Sequence, residues 1–212
     1  MCLEPELSGD IESYPMRLKF YGRWDAVFYG GIAHVKKDGQ YGLIDTDGKQ
    51  VILPEYEDIG LINEDLIPAK KGGKWGYINS KGNTVIEFIY DNADSFLNGL
   101  AEVGIDGKYG YIDPSGKVEI PLLYDNSNYI SEMSLIEVQD SNKWGCVDKG
   151  NNVVVPLEYD RVFSSARGFI YVQKNNLWSM LDSKGFPLRH EEFDLVFFGD
   201  SQGPIIVQNH GK

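Results

Sequence analysis

Gly99 to Asp125 reads GLAEVGIDGKYGYIDPSGKVEIPLLYD, and it is the cleanest copy of a unit that recurs through most of the chain. At its start, Ala101 and Val103 are apolar and Glu102 between them is not. That period of two is the pattern of a strand with one buried face. Asp106-Gly107 then supplies the residues that a tight hairpin needs for positive φ. The second strand carries Tyr109-Gly110 and ends at Asp113, three residues before Gly116. An Asx residue that caps its own turn, closed by a left-handed glycine, accounts for that spacing. A third strand runs to Tyr124-Asp125. The unit is a three-stranded antiparallel meander.

The same landmarks return at fixed intervals. The aromatic pairs are Tyr41-Gly42, Trp75-Gly76, Tyr109-Gly110, Trp144-Gly145 and Trp178-Ser179, at successive spacings of 34, 34, 35 and 34 residues. A period in this range marks a solenoid, propeller or similar array. The first strands read GIAHV, DLIPA, GLAEV, SLIEV, GFIYV and GPIIV. The second strands end at Asp45, Asn79, Asp113, Asp148 and Asp182, each followed by Gly48, Gly82, Gly116, Asn151 or Gly185. The third strands close on Tyr56-Glu57, Tyr90-Asp91, Tyr124-Asp125, Tyr159-Asp160 and Phe193-Asp194. No helix of ordinary length is expected. The fold class is all-β, with tandem units of about 34 residues in either an open solenoid-like or a closed propeller-like array. Residues 1–16 read as an acidic tail or linker and 17–212 as the array, with half-units at both ends.

Composition narrows the function. Lys plus Arg number 20 against 32 Asp plus Glu, a net charge of −12, so the average surface repels nucleic acid and anionic membranes. No segment reaches the ~18 apolar residues of a membrane helix. Cys2 and Cys146 form no framework and no metal spacing, and Cys146 stands where other units have Tyr77 and Tyr111, as a small buried hydrophobe would. His34, His190 and His210 occupy unrelated positions of the unit, so no metal site is expected. The chain reads as cytoplasmic; the alternative is an exported lipoprotein whose Cys2 follows a removed signal.

Chemistry-bearing candidates read first as structure. The acid at the Asx turn recurs in every unit and is replaced by Asn79, which suits turn chemistry better than the carboxylate pair of a glycosidase. The aromatic-Gly pair reads as a stacking device, in which a ring passes over the bare backbone of the adjacent unit, with a sugar-stacking platform as its rival. No nucleophile signature and no phosphate loop is present.

Taken together, GLAEV, DGKYGYID, the following GK, Pro121 and Tyr124-Asp125 resemble the bacterial WG repeat, also called the KWG repeat. GGKWGYINSKGN (Gly72 to Asn83) and SNKWGCVDKGNN (Ser141 to Asn152) carry the resemblance most closely. Ser179 and His190 depart from it in the last full unit. The resemblance implies an all-β, non-catalytic module that mediates interactions, with no catalytic residues and no cofactor. Function is therefore sought where units diverge. One such place is the fourth position of the first strand, expected to be exposed: His34, Glu102, Glu137 and Tyr171. The others are the linkers, with Tyr129 in one and Phe197 and Phe198 in another. The leading expectation is a scaffold for a protein or peptide partner with basic patches. A carbohydrate or cell-wall binding module is the alternative, and a propeller-like hydrolase the remote one.

Overall fold

The computed structural model describes residues 28, 31–130, 133–165 and 168–188, with the strand backbone at 12–13, 195–199 and 203–208. The described secondary structure is strand and turn, without helix. The first sheet holds β1 (Glu12–Ser13), β2 (Ile32–Lys37), β3 (Gln40–Asp45) and β4 (Gln50–Tyr56) in that order. The second holds β5 (Asp58–Ile59), β6 (Leu66–Lys71), β7 (Lys74–Asn79) and β8 (Thr84–Tyr90). The third holds β9 (Asn92–Ala93), β10 (Ala101–Ile105), β11 (Lys108–Ile112) and β12 (Val118–Tyr124). The fourth holds β13 (Asn126–Ile130), β14 (Leu135–Asp140), β15 (Lys143–Asp148) and β16 (Val153–Tyr159). A fifth follows with β17 (Arg161–Ser164), β18 (Phe169–Lys174) and β19 (Leu177–Asp182), and a sixth with β20 (Leu195–Gly199) and β21 (Gly203–Gln208).

The three expected strands per unit are present in the first four sheets, and the linker contributes a fourth. Its residues pair antiparallel with the first strand of the unit they lead into, as Asp58↔Lys70 and Ile59↔Ala69, or Asn126↔Gln139 through Ile130↔Leu135. β1 plays this part for the first sheet and lies inside the segment expected to be a tail.

Turn chemistry follows the sequence. Both residues of each hairpin have positive φ: Asp38 and Gly39, Gly72 and Gly73, Asp106 and Gly107, Ser141 and Asn142, Asn175 and Asn176. This is the type I′ geometry, whose twist matches the strands it joins.

The chain divides into two compact units, Met1–Asp106 with Ile112–Lys117, and Gly107–Tyr111 with Val118–Lys212. In the first, Leu43, Ile52, Tyr56, Ile59, Ile67, Ala69 and Ile78 form a core drawn from the first two sheets. In the second, Leu135, Cys146, Val155, Ile170, Val172 and Leu181 form one drawn from the fourth and fifth. Within each compact unit these cores join two sheets that are too small to bury a face alone.

Candidate interaction surface

The recurring polar residues turn out to be engaged. Asp45 Oδ1 accepts the N–H groups of Asp47 (3.0 Å) and Lys49 (2.9 Å). Asn79 Oδ1 does the same for Lys81 and Asn83, both at 3.0 Å. Asp113, Asp148 and Asp182 repeat the pattern. The residue three positions on is left-handed, at φ 75° for Gly48 and 61° for Asn151.

The acid that closes the third strand has two tasks in three of the units, neither visible in the sequence alone. Asp125 accepts Lys108 Nζ (2.6 Å) from its own hairpin and the N–H of Ser141 (2.8 Å) from the next. Asp160 accepts Lys143 Nζ (2.6 Å) and the N–H of Asn175 (2.9 Å). Asp91 is held likewise by Lys74 and by the N–H of Asp106. These donors, the lysine first, keep all three carboxyls below the usual carboxylate range. Glu57 takes the N–H of Gly73 at 3.1 Å. The neighbouring tyrosine reaches the next Asx turn: Tyr56 Oη donates to Gly82 O (3.4 Å) and Tyr124 Oη to Asn151 Oδ1 (3.0 Å). In the first and third units the Tyr-acid pair thus ties the unit to both turns of the one that follows.

The mid-strand glycine has a different cause from the expected one. The atoms that stand nearest to its Cβ position belong to the main chain of the third strand of its own unit, not to a ring of an adjacent unit. A Cβ on Gly42 would stand 2.5 Å from Ile52 O, one on Gly76 2.6 Å from Ile86 O, and one on Gly145 2.5 Å from Val155 O. The ladder skips here, from Trp75↔Tyr90 to Tyr77↔Ile86, so the third strand bulges inward over the bare glycine. The aromatic partner pairs across the ladder with the tyrosine of the same unit, as Tyr41↔Tyr56 and Trp144↔Tyr159. Trp75 and Trp144 are half-buried and Trp178 is buried.

The fourth position of the first strand is not the exposed one. His34 and Glu102 are half-buried, and Glu137 and Tyr171 are buried. At His34 and Glu137 the linker of the following unit reaches over this face. His34 Nε2 donates to Gly60 O (3.1 Å), and burial lowers the imidazole pKa. Glu137 accepts the N–H of Ser164 (2.7 Å) and Nδ2 of Asn128 (3.2 Å), while burial pushes its carboxyl pKa up. Tyr171 packs with Trp178, Phe169 and Met180. Tyr129 is covered too: its ring lies against Tyr111 (centroids 6.4 Å apart), and its buried hydroxyl has no hydrogen-bond partner. The side chains of Phe197 and Phe198, like His190, His210 and Cys2, lie outside the described residues.

Cys146 is fully buried and its thiol is pushed up to about 12 by that burial. Among the described residues no cluster of His, Cys, Asp or Glu could hold a metal ion, and no helix is long and apolar enough to cross a membrane.

Besides Phe28, Leu61, Leu97, Phe163, Phe186 and Leu188, the exposed large hydrophobic side chains among the described residues are aliphatic and sit on the last strands of the sheets. In the first compact unit these side chains are Leu53 on β4 and Val85 and Ile89 on β8. In the second they are Val118 and Leu123 on β12 and Val153 on β16. The sequence signal was present in the third strands, where apolar residues exceed what one buried face needs, as in TVIEFIY and VEIPLLY.

Solved structures similar in fold include a eukaryotic initiation factor, at TM-score 0.52 and 11% identity over 84% of this chain and 62% of that one. Kluyveromyces lactis Hsv2p is similar at TM-score 0.45 and 11% identity, over 72% and 58% of the two chains. The dihydro-heme d1 dehydrogenase NirN, in complex with DHE, is similar at 0.44 and 9%, over 81% and 47%. The chain spans less than two thirds of the length of each of these structures. No curated protein matches it in sequence. The WG containing repeat matches four times in tandem, at residues 41–75, 75–109, 109–144 and 144–178. These copies run from one aromatic-Gly position to the next over more than half of the sequence, and the chain belongs to the WG containing repeat family.

Proposed function

We propose that the chain is a non-catalytic repeat scaffold that binds a protein or peptide partner. The observation that carries this reading is the division between engaged and unengaged side chains. The recurrent carboxylates hold turns and lysines, and Tyr56 and Tyr124 reach the next turn, so these regular features are occupied with assembly. The exposed aliphatic residues on the last strands have no such task, and covering them is favourable at about 25 cal/mol per Å². The excess of acidic residues favours a partner that carries basic patches.

Sugar stacking has less support, because the recurrent tryptophans of the aromatic-Gly positions offer little free face. Trp178 is buried and Trp75 and Trp144 stand half-covered in the ladder. The test immobilises the full chain and probes it with a displayed peptide library and a glycan array in parallel. Saturable peptide binding is the expected result. Saturable glycan binding without peptide binding overturns the reading, and so does a turnover in a hydrolase panel that is lost on acid-to-amide substitution.

A further inference from the structure

The last strands β4, β8, β12 and β16 are sheet edges of one design, and they differ in a way that bears on binding. Aligned on their closing tyrosine, β12 and β16 carry Pro121 and Pro156 where β8 carries Glu87, and β4 carries Pro54 where β8 carries Phe88. The carbonyl carbons of Pro121 and Pro156 stand 2.8 and 2.9 Å from the Cβ position of Gly110 and Gly145, as that of Glu87 stands 2.8 Å from that of Gly76. The backbone path is therefore the same. Since the sister strands keep that path without an N–H at one or other place, the sheet requires neither the Glu87 nor the Phe88 donor. β8 alone among the four retains both. Proline at an edge is a standard block against strand addition, and β8 lacks it.

The side chains of the same strand complete the site. Val85, Glu87 and Ile89 alternate on its exposed face. Among the described residues nothing pairs with the Glu87 carboxylate. We infer that β8 is a docking edge for a short extended peptide with a basic residue between two apolar ones, the Lys or Arg set against Glu87 and the apolar pair against Val85 and Ile89. This deepens the scaffold reading above and rests on it. Main-chain donors supply affinity in such strand addition, and the alternate side chains supply choice of partner. The bulge at 87–89 restricts the occupant to a short segment, because a bulged edge twists away from continued pairing. A second copy of the chain does not fit: two β8 strands paired antiparallel about their centre would oppose Glu87 to Glu87, and like charges directly opposite destabilise a sheet.

The probe is a blocked peptide of about eight residues alternating Val or Ile with Thr, with one central Lys, beside a twin with Glu in its place. Fluorescence anisotropy measures binding to the full chain and to two variants. Glu87→Pro installs the residue that β12 and β16 already tolerate, so a folded variant is expected, checked by an unchanged melting curve. Glu87→Lys reverses the charge without touching the backbone. The Lys peptide is expected to bind the parent chain, to lose about tenfold or more in affinity with either variant, and to be replaced by the Glu twin as the better ligand of Glu87→Lys. Equal binding to all three chains overturns the assignment to β8 while leaving the scaffold reading in place. Absence of binding by both peptides overturns the assignment as well, and the scaffold reading is then decided by the library screen, which does not depend on β8.

Discussion

Gly76→Ala is the sharpest test of how the repeat is built. A methyl group added in mid-strand normally helps: it removes backbone freedom from the unfolded chain, worth about 0.4–1 kcal/mol. Here the new Cβ would stand 2.6 Å from Ile86 O and 2.8 Å from the carbonyl carbon and oxygen of Glu87. Ordinary contact begins near 3.4 Å, so β8 must retreat by about 0.8 Å, and the obstacle is main chain rather than a side chain that can rotate away. Overpacking of this kind costs about 1–3 kcal/mol, and partial loss of the β7–β8 ladder adds to it. For a chain of 212 residues, about 2 kcal/mol lowers the Tm by about 4–8 °C. Calorimetry on the parent and the variant reads this directly. Gly150→Ala is the control: its Cβ would meet side-chain atoms, at 3.2 Å from Nδ2 of Asn152, and its effect should stay within about 0.5 kcal/mol. The sign decides the matter. A Tm for Gly76→Ala that is unchanged or raised would refute the claim that the third strand's backbone is what requires the glycine.

Four further outcomes follow from the same contacts. Burial raises the Glu137 pKa above the unfolded value, so its carboxylate opposes folding increasingly as pH rises through the folded pKa; Glu137→Gln should therefore gain on the parent in Tm between pH 5 and pH 8, and a constant difference would contradict this. Native Cys146 should resist iodoacetamide at pH 8, where its thiol is almost wholly protonated and buried, and react only after denaturation, as read by mass spectrometry of its peptide. Acrylamide should quench Trp178 less than Trp75 or Trp144 in single-tryptophan variants, and quenching of all three at the rate of free tryptophan would remove the rings from the packing. Asp125→Asn should destabilise more than Lys108→Gln in urea melts, because an exposed ion pair contributes little while the Ser141 N–H loses its charged acceptor; equal effects would show that the pair, not the turn, is what matters.

The repeat, its strands and its turns were legible because their causes are local. Alternation of Ala101, Glu102 and Val103 declares a strand, and Asp113 with Gly116 declares a turn, whatever lies nearby. The causes that were not legible act between elements far apart in sequence. His34 and Glu137 look like surface positions because the residue type there varies, yet the linker of the following unit reaches over both, as Gly60 does at His34 and Ser164 at Glu137, 26 and 27 residues on. Glycine at position 76 announces a close approach, but the sequence does not name the approaching group: a neighbouring ring and the unit's own third strand satisfy it equally. The fourth strand is not legible because in three sheets it is two residues long, as at Asp58 and Ile59, too few for a period, and where it is longer, as NSNYI at Asn126–Ile130, it carries no apolar alternation.

The substitutions that the repeat tolerates separate assembly from chemistry. Asn79 replaces an aspartate yet takes the same two backbone N–H groups, each at 3.0 Å, so this position uses an acceptor oxygen and not a charge. Asp91, Asp125 and Asp160 keep both the charge and the pair of contacts, and Glu57, in the first unit, whose hairpin has Gln40 in place of the lysine, keeps the turn contact alone. The turn N–H is thus the constant requirement and the lysine the optional one. In the fourth unit Cys146 stands in place of Tyr77 or Tyr111, and Glu137 stands directly across the ladder from it, holding Ser164 of the next linker by its N–H. In the second unit the tyrosine performs that task itself, with Tyr77 Oη donating to Asp94 O at 2.7 Å. One contact between unit and linker has therefore been kept while its donor and acceptor exchanged sides. Variation at these covered positions records compensation within the array, which leaves the edge strands, where no such constraint acts, as the place where differences between units can serve a partner.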